Sequence, residues 1–487
     1  MKELSTTCHW MKLTGSILSD NEIIDLDRAA MKVLSEVGVL VASERALKLL
    51  EASGAQIDYL KEIAKIQEDL VRKSISSASR TSLEMFNRSG TSSFRLEGKH
   101  TFNITGFDAI YTLDSETGER RPATKRDDEE FAKIADALPN ISAVGNEVIP
   151  QDVPGRSAEL HAVQAILTNT SKHCFFAPSD GEVARAVLEM VRTACGRNDL
   201  SSKPPVTLQA SSTAPLRWQR KALETLMESA AAGVNLNILP QPIAGMTGPV
   251  TLAGVLLMQT VETLSGLVIS QLIRPGVHVI YGYCPTTLDM HEANPSLTSP
   301  EGAIMRIASA QVAKYYGLPS LSSDNTDSHV NDEQTAWEKA IIYLSIYLAG
   351  TDISLDMGVF SGGLIASREQ LVIDSEILGY VERLTRGMQV NEETLSMDLI
   401  CKVAHGGNFL KEPHTLKHFR SEHWIPKISS RAAFGRWLKS GGRDAVQSAR
   451  EMSKRILAEH HPEELPQDTQ AKLTSIVKEF EARAALR

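Results

Sequence analysis

An α/β fold built on one closed (β/α)8 barrel is what this sequence predicts, on three observations. From Thr101 to Met357, short apolar runs alternate with longer segments of helical periodicity, the pattern of repeated strand and helix units. There are eight such runs, the number that a closed parallel barrel needs. The stretch from Asn235 to Tyr283 shows the unit most clearly. An apolar run leads into a Pro- and Gly-dense loop from Pro240 to Pro249, a long apolar helix, a turn on Arg274-Pro275-Gly276 and a second apolar run. Residues with fixed or unusual backbone angles hold that loop in shape at a strand's carboxyl end, where barrels of this class carry their chemistry.

Taken in order, Ser19 to Glu22 reads as a capping box opening a helix with apolar positions from Ile23 to Leu34. Amphipathic segments at Glu44 to Ser53 and Gln67 to Ala78, then the alternating Ser82 to Phe86, make residues 1–100 a small α+β extension, read as a cap or an oligomerisation element. The barrel occupies 101–362. Its strands are Thr101 to Gly106, Ser142 to Ile149, Cys174 to Ala177, Val206 to Ala210, Leu236 to Leu239, Val277 to Tyr281, Ser320 to Asp324 and Ile353 to Met357. Helices lie between them near Asp127 to Ala137, Ser157 to Thr168, Gly181 to Thr193, Leu216 to Ala232, Thr251 to Leu272, Pro300 to Tyr316 and Glu333 to Ala349. Thr112 to Ala123 reads as a β-hairpin inserted after the first strand. Residues 363–487 form a helical extension packed on the barrel, ending in a solvated outer helix from Asp468 to Arg487.

The totals agree with a single large barrel and its appendages: 487 residues at 42% hydrophobic content suffice for one core of that size. Aromatics are 5% of the chain, so each clustered aromatic is informative. A net charge of −9, with 51 Lys and Arg against 60 Asp and Glu, argues against nucleic acid and points to a small molecule or a protein partner. Five cysteines (Cys8, Cys174, Cys195, Cys284, Cys401) without a CxxC pair read as reduced thiols in a cytoplasmic protein with no zinc site. The N-terminus lacks the apolar core of a signal peptide. Ala253 to Ile273 carries Gln259, Glu262 and Gln271, which makes it a buried core helix and not a membrane span.

Several blocks resemble one family. Glu119-Arg-Arg-Pro-Ala-Thr124, Asp136-Ala-Leu-Pro-Asn140, Pro240 to Gly254, Glu262-Thr-Leu-Ser-Gly266, Gln271 to Gly276, Gly406-Gly-Asn-Phe409 and Pro413-His-Thr-Leu416 are similar, in that order, to the trimethylamine methyltransferase superfamily. The resemblance spans nearly the whole chain. It implies a TIM barrel that moves a methyl group from a methylated amine to the cobalt of a separate corrinoid protein, so that cob(I)alamin becomes methylcob(III)alamin on the partner. Members that use trimethylamine carry pyrrolysine near the end of the seventh strand. The matching stretch here, Asp324 to Gln334, has ordinary residues throughout, with Val330 about where pyrrolysine would stand. The branch without pyrrolysine acts on glycine betaine and related quaternary amines.

A quaternary nitrogen already carries a good neutral leaving group, so no general acid is required; the protein must position the methyl in line with the nucleophile. A permanent cation is best held by aromatic faces helped by a carboxylate. Phe107 and Tyr111 follow the first strand, Tyr281 and Tyr283 end the sixth, and Phe360 follows the eighth; core packing is the alternative for each. Asp108, Glu147, Asp324, Asp327 and Asp356 lie at or beyond strand ends, and Asp324, Asp327 and His329 are the positioning candidates. Asp327 and Asp332 equally suit capping of the next helix. Glu262, inside an apolar helix, suits bonding to a neighbouring loop's amides. A betaine carboxylate would take donors from His329, Gln209, Gln241, Asn325, the hydroxyls of Ser211 to Thr213, and the loop amides from Gly245 and Met246 to Gly248. His405, His414, His418 and His423 match no metal-binding spacing, so no metal is expected on this chain, and they suit a partner interface. The expected substrate is glycine betaine, then proline betaine, carnitine or another betaine. A barrel that only binds quaternary amines, without turnover, fits the same residues.

Overall fold

The structure, a computed structural model, describes residues 15–78, 82–91, 93–106 and 108–486; Cys8 and Phe107 lie outside them. Eight parallel strands close into a barrel: β1 (Phe102–Thr105), β2 (Ile141–Gly145), β3 (His173–Phe176), β4 (Val206–Ala210), β5 (Asn235–Ile238), β6 (Val279–Tyr283), β7 (Ser320–Ser323) and β8 (Ile353–Met357). They run around the ring in sequence order, and β8 pairs with β1 to complete it. Helices α1 (Lys125–Ala137), α2 (Ala158–Asn169), α3 (Gly181–Cys195), α4 (Arg220–Ala232), α5 (Leu252–Ile273), α6 (Pro300–Tyr315), α7 (Glu333–Ala349) and α8 (Arg368–Thr385) follow the strands one by one. The eighth barrel helix thus lies beyond residue 362, in the stretch that the sequence assigns to the C-terminal extension.

Strand side chains alternate between two layers. Ile104, Ala143, Phe175, Ile280, Leu321 and Ile353 fill the barrel interior as one buried cluster, whereas Cys174, Leu208, Leu236 and Tyr281 belong to the clusters shared with the helices. The antiparallel pair Leu83–Phe86 and Ser93–Leu96 sends Leu83, Met85 and Leu96 into that interior cluster. It plugs the amino-terminal end of the barrel, and the His173 ring nitrogen Nδ1 lies 2.8 Å from the Phe86 carbonyl oxygen at this junction. The carboxyl-terminal end is the one left for chemistry.

Helix α5 is apolar all round because it is covered on both sides. Fifteen of its residues are buried, and the N-terminal helices Asp20–Lys32, Glu44–Ala52 and Glu68–Ala78 pack over its outer face. Ser19 caps the first of these in a full capping box with Glu22, as its sequence predicts. Glu262 on α5 accepts a hydrogen bond from Ser212 Oγ at 2.6 Å and from the Leu216 amide at 2.8 Å, the structural role considered for it. Tyr111–Leu113 and Arg120–Pro122 form the expected hairpin.

Two small sheets sit above the strand carboxyl ends. One joins Ile243–Ala244, Thr286–Asp289 and Asn294–Ser296; the other joins the hairpin to Val359–Phe360 and Ile365–Ala366. Near the C-terminus, helix Ala445–Glu459 packs against α8 and α1, and helix Gln467–Ala485 against α3 and α2. The last helix is therefore not a solvated outer helix: Leu473, Ile476, Val477 and Phe480, spaced along one face, are buried.

Candidate active site

β8 and β1 are neighbours in the ring, so the residues just past their ends share one side of the barrel mouth. Asp108 (φ 62°) and Asp356 (φ 94°) both adopt left-handed backbone, a strained state for non-glycine residues that persists only where surrounding contacts impose it. Asn146 Nδ2 donates a short hydrogen bond to Asp108 Oδ1, and Ser323 Oγ donates one to Asp356 Oδ2. Burial pushes the Asp108 carboxyl up to about 7, reinforced by the negative charges of Glu159 and Asp356 and opposed by Asn146. The Asp356 carboxyl is also raised, chiefly by burial.

A buried ionic network behind β7 and β8 holds this corner. Lys339 Nζ on α7 donates to Asp324 Oδ1 and to the Asp356 carbonyl, each at 3.0 Å, and lies 3.2 Å from Asp374 Oδ2 on α8. Tyr343 and Ser354 add hydroxyl donors to Asp324 at 3.1 and 2.6 Å, and the Gly358 amide donates to Asp374 at 2.8 Å. Burial pushes the Lys339 ammonium down, but the carboxylates of Asp374 and Asp324 outweigh it and leave it raised. Beside this network Glu147 is pushed well up by burial. Its Oε1 would be 2.0 Å from any Cβ at position 358, so only glycine fits there, with φ of 89°.

Across the ring, β4 and β5 present amides. Gln209 Oε1 accepts from Asn237 Nδ2 at 2.7 Å, and Gln209 Nε2 reaches Ser211 Oγ at 3.4 Å. The Asn237 Oδ1 atom is buried beside Gly282, where a Cβ would approach to 2.6 Å. Gln241 is exposed and donates to Thr286 Oγ1 at 3.1 Å. On the β7 side Asn325 is buried, with Oδ1 accepting from the Thr326 amide and Nδ2 alongside Gly363. His329 is exposed, its Nδ1 2.7 Å from Ser361 Oγ on the following loop.

Comparison with known proteins puts this geometry in a family. The family profile for trimethylamine methyltransferase (MTTB) matches residues 6–484. The chain belongs to the trimethylamine methyltransferase family. It is 32% identical over 465 residues to the trimethylamine methyltransferase MttB of Desulfitobacterium hafniense strain DSM 10664 / DCB-2, covering 95% of this chain and 93% of the relative. It is 31% identical over 469 residues to the glycine betaine methyltransferase of Desulfitobacterium hafniense strain Y51, covering 95% and 96%. Among solved structures, the monomethylamine methyltransferase (MtmB) of Methanosarcina barkeri superposes with a TM-score of 0.53 at 12% identity, covering 92% of this chain and 96% of that one. The barrel architecture is thus shared at low sequence identity. The chain is an enzyme of the methylamine:corrinoid methyltransferase kind.

Within this family member, several expected site residues stand elsewhere. Tyr281 and Tyr283 are fully buried toward the helix layer; Tyr281 Oη is 2.9 Å from Thr260 Oγ1 and Tyr283 Oη 2.7 Å from Thr351 Oγ1. Ile280 in β6 and Cys284 just past its end face inward instead, because neighbours in a strand point to opposite faces. Phe360 is buried with Leu113 and Ile365 in the small sheet, and the Tyr111 face is covered by the Arg120 guanidinium at 4.2 Å. Asp327 holds the loop before α6, accepting from Ser296, Thr298 and the Leu297 amide, and Asp324 belongs to the Lys339 network. The amides of Gly245 to Gly248 are not free donors: all four bond to Ile243 or Gly248 carbonyls within their own turn. Ser212 donates to Glu262, which removes it from the hydroxyl cluster considered for carboxylate binding. Among the described residues no group of three or more His, Cys, Asp and Glu is placed to hold a metal.

Sequence reasoning noted Asp108 and Asp356 only as strand-end acids and missed Lys339. Lys339 shares a helix face with the buried Tyr343 and Ile346, so a lysine at that spacing on an apolar stripe was the available signal. Tyr281→Phe should cost about 1–2 kcal/mol of stability through the buried hydrogen bonds lost to Thr260 and Gln259 and leave KM for the amine unchanged. A chemical-denaturation midpoint and a steady-state assay check both; a rise in KM would return Tyr281 to the substrate pocket.

Proposed function

We propose that this enzyme demethylates a small quaternary amine bearing a carboxylate, glycine betaine first, and passes the methyl to the reduced cobalt of a corrinoid protein docked over the barrel mouth in the cytoplasm. The observation that carries this reading is the polarity of the mouth. Asp108 and Asp356 stand at β1 and β8, diametrically opposite the amides of Gln209 and Gln241 at β4 and β5. A trimethylammonium group suits the acidic side by charge, and a betaine carboxylate suits the amide donors; Asn325 and His329, on the β7 loop, lie beside the acidic β8 side. Trimethylamine has nothing to offer the amide side.

The corrinoid supplies the nucleophile. The chain's own residues bind and orient: as the carbon–nitrogen bond breaks, its electron pair stays on nitrogen and leaves a neutral tertiary amine, so the acidic side need only hold the cation and shed it once charge is lost. The ordinary residues of the β7 loop, with the half-exposed Val330 in the pyrrolysine region, support a substrate whose nitrogen needs no activation. A docking partner finds exposed apolar side chains beside the mouth, where Met246, Val250 and Met290 crowd around Gly245.

Steady-state assays with glycine betaine, proline betaine, carnitine and trimethylamine against reduced cobalamin, reading dimethylglycine and the corresponding tertiary amines by NMR, test the proposal. Glycine betaine is expected to turn over and trimethylamine not, and Val330→Lys should not create trimethylamine activity. Equal turnover of trimethylamine and glycine betaine would defeat the substrate assignment. Binding of quaternary amines without any demethylation would leave a binding barrel as the better reading.

A further inference from the structure

We propose that a cavity at the amino-terminal end of the barrel, apart from the site described above, binds a small zwitterion that carries an N–H-bearing ammonium and a carboxylate. The cavity measures about 410 Å3 and is bounded by the starts of β1 and β2, one face of α8, and Trp424 and Lys427 from the segment after α8. That volume falls in the range of small-molecule sites. Phe102, Asn103 and Ser142 lie where the chain enters their strands, so the cavity stands at the opposite end of the barrel from the mouth. A molecule held there does not compete with the amine.

Most of the polar wall is already satisfied from within. Asn140 Nδ2 donates to the Ser375 carbonyl at 2.8 Å, and Asn140 Oδ1 accepts from Ser375 Oγ at 2.7 Å. Asn103 Nδ2 donates to the Asn140 carbonyl at 3.0 Å, and Glu376 on α8 accepts the amides of Lys427, Ile428 and Ser429. Three groups are left over. The partly buried Glu382 carboxyl meets the Tyr347 hydroxyl at 3.3 Å, Lys427 stands at the exposed rim, and Trp424 brings an indole N–H. Among the described residues neither Glu382 nor Lys427 forms an ion pair, and the indole N–H has no acceptor. Two opposite charges that face one cavity without meeting suit a zwitterion: its ammonium donates to Glu382, and its carboxylate accepts from Lys427 and the indole, each a charge-assisted hydrogen bond.

The Trp424 ring is held so that it offers an edge. Tyr380 packs on it with ring centroids 4.1 Å apart, the Arg431 guanidinium lies 5.4 Å from its centroid, and a Cβ at position 379 would approach its Nε1 to 2.6 Å, so glycine there makes room. A quaternary ammonium needs an aromatic face and has no N–H for Glu382, so this cavity discriminates against the class of amine proposed for the mouth. Burial pushes the Glu382 carboxyl up to about 7, opposed by the Tyr347 hydroxyl and the Lys427 charge. A bound ammonium favours the ionised carboxylate, so binding releases a proton near neutral pH and tightens as pH rises through that value. The other titratable groups on the cavity are Glu376, fixed by its three amides, and His100 ahead of β1, whose ring desolvation holds below its usual range.

Isothermal titration calorimetry of the full-length protein with glycine and with γ-aminobutyrate, a short and a long zwitterion without N-methyl groups, tests this. At least one of the two is expected to bind at one site per chain, to release protons near neutral pH as read from buffers of different ionisation enthalpy, and to bind equally well in the presence of excess glycine betaine. Glu382→Gln, which keeps an acceptor for Tyr347, and Lys427→Met should each weaken binding by about 10- to 100-fold, the worth of a charge-assisted hydrogen bond, with circular dichroism unchanged. Glu382→Gln should also abolish the proton release. Absence of binding by both zwitterions, affinity unchanged in both variants, displacement by glycine betaine, or binding without proton release would each overturn the proposal.

Discussion

Lys339→Met is expected to destabilise the protein by about 3–5 kcal/mol, the range for removing one partner of a buried ion pair. The ammonium is fully buried and serves Asp324, Asp374 and the Asp356 carbonyl together. Methionine fills much of the same volume, so the loss comes from two carboxylates left without their counter-charge. The loss also depends on pH in a defined sense. Without Lys339 the folded-state pKa of Asp324 lies further above its unfolded value, because burial already pushes it up to about 7 even with the lysine present. The folded state then binds more protons than the unfolded chain, and stability falls as pH rises from the unfolded pKa through the folded one. The wild type shares the rise to about 7, so the deficit should be level between about pH 5 and pH 7 and grow toward pH 8, where the wild-type carboxyl ionises and the variant's stays protonated, and Asp324→Asn in the same chain should recover part of it. Urea midpoints of wild type, single and double variants across that range decide the matter; a deficit below about 1 kcal/mol at pH 8 would mean that the network is relieved by water or protonation. Because Lys339 fixes the backbone at Asp356, methyl transfer should fall with it.

The second large effect concerns substrate. Asp108→Asn and Asp356→Asn should each raise KM for a quaternary amine by about 10- to 100-fold, equivalent to about 1.4–2.8 kcal/mol and within the Coulomb attraction between unit charges a few ångströms apart at a partly buried site. The Asp108 carboxyl, raised to about 7, attracts the cation only when ionised. KM in the wild type should therefore fall as pH rises from 6 to 8, and Asp108→Asn should flatten that profile. The substrate's own charge is permanent, so a pH dependence of KM reports the protein and not the ligand. An unchanged profile in Asp108→Asn would remove Asp108 from cation recognition, and unchanged KM in both variants would defeat the acidic side as the ammonium site.

The aromatic expectation failed for a reason particular to β6. Tyr281 and Tyr283 stand at the right end of the right strand, but the period of two that governs strands allows only one parity to face inward. The sequence Val279-Ile280-Tyr281-Gly282-Tyr283 is apolar at both parities, so its pattern carries no signal as to which is which. Gly282 is the residue whose parity turns inward, beside Asn237. The turn at Gly245 misled in another way: its Gly and Pro content announced a fixed shape correctly, yet the amides that looked available close the turn upon itself.

By itself the sequence determined the order of eight strands and their helices, the capping box at Ser19, the hairpin at Tyr111 to Pro122, the buried nature of α5 and the structural role of Glu262. Each depends on residues within a few positions of one another, or on one side chain whose burial leaves it a single way to be satisfied. The tertiary structure alone decided which face of β6 points inward, that Lys339 gathers Asp324 and Asp374 from flanking elements, and that Asp108 and Asp356 share one side of the barrel mouth. The last two residues are brought together only when β8 pairs with β1. Periodicity and capping are local consequences of backbone geometry, whereas the partners of a buried charge and the occupants of a barrel mouth are set by ring closure, which no local pattern encodes.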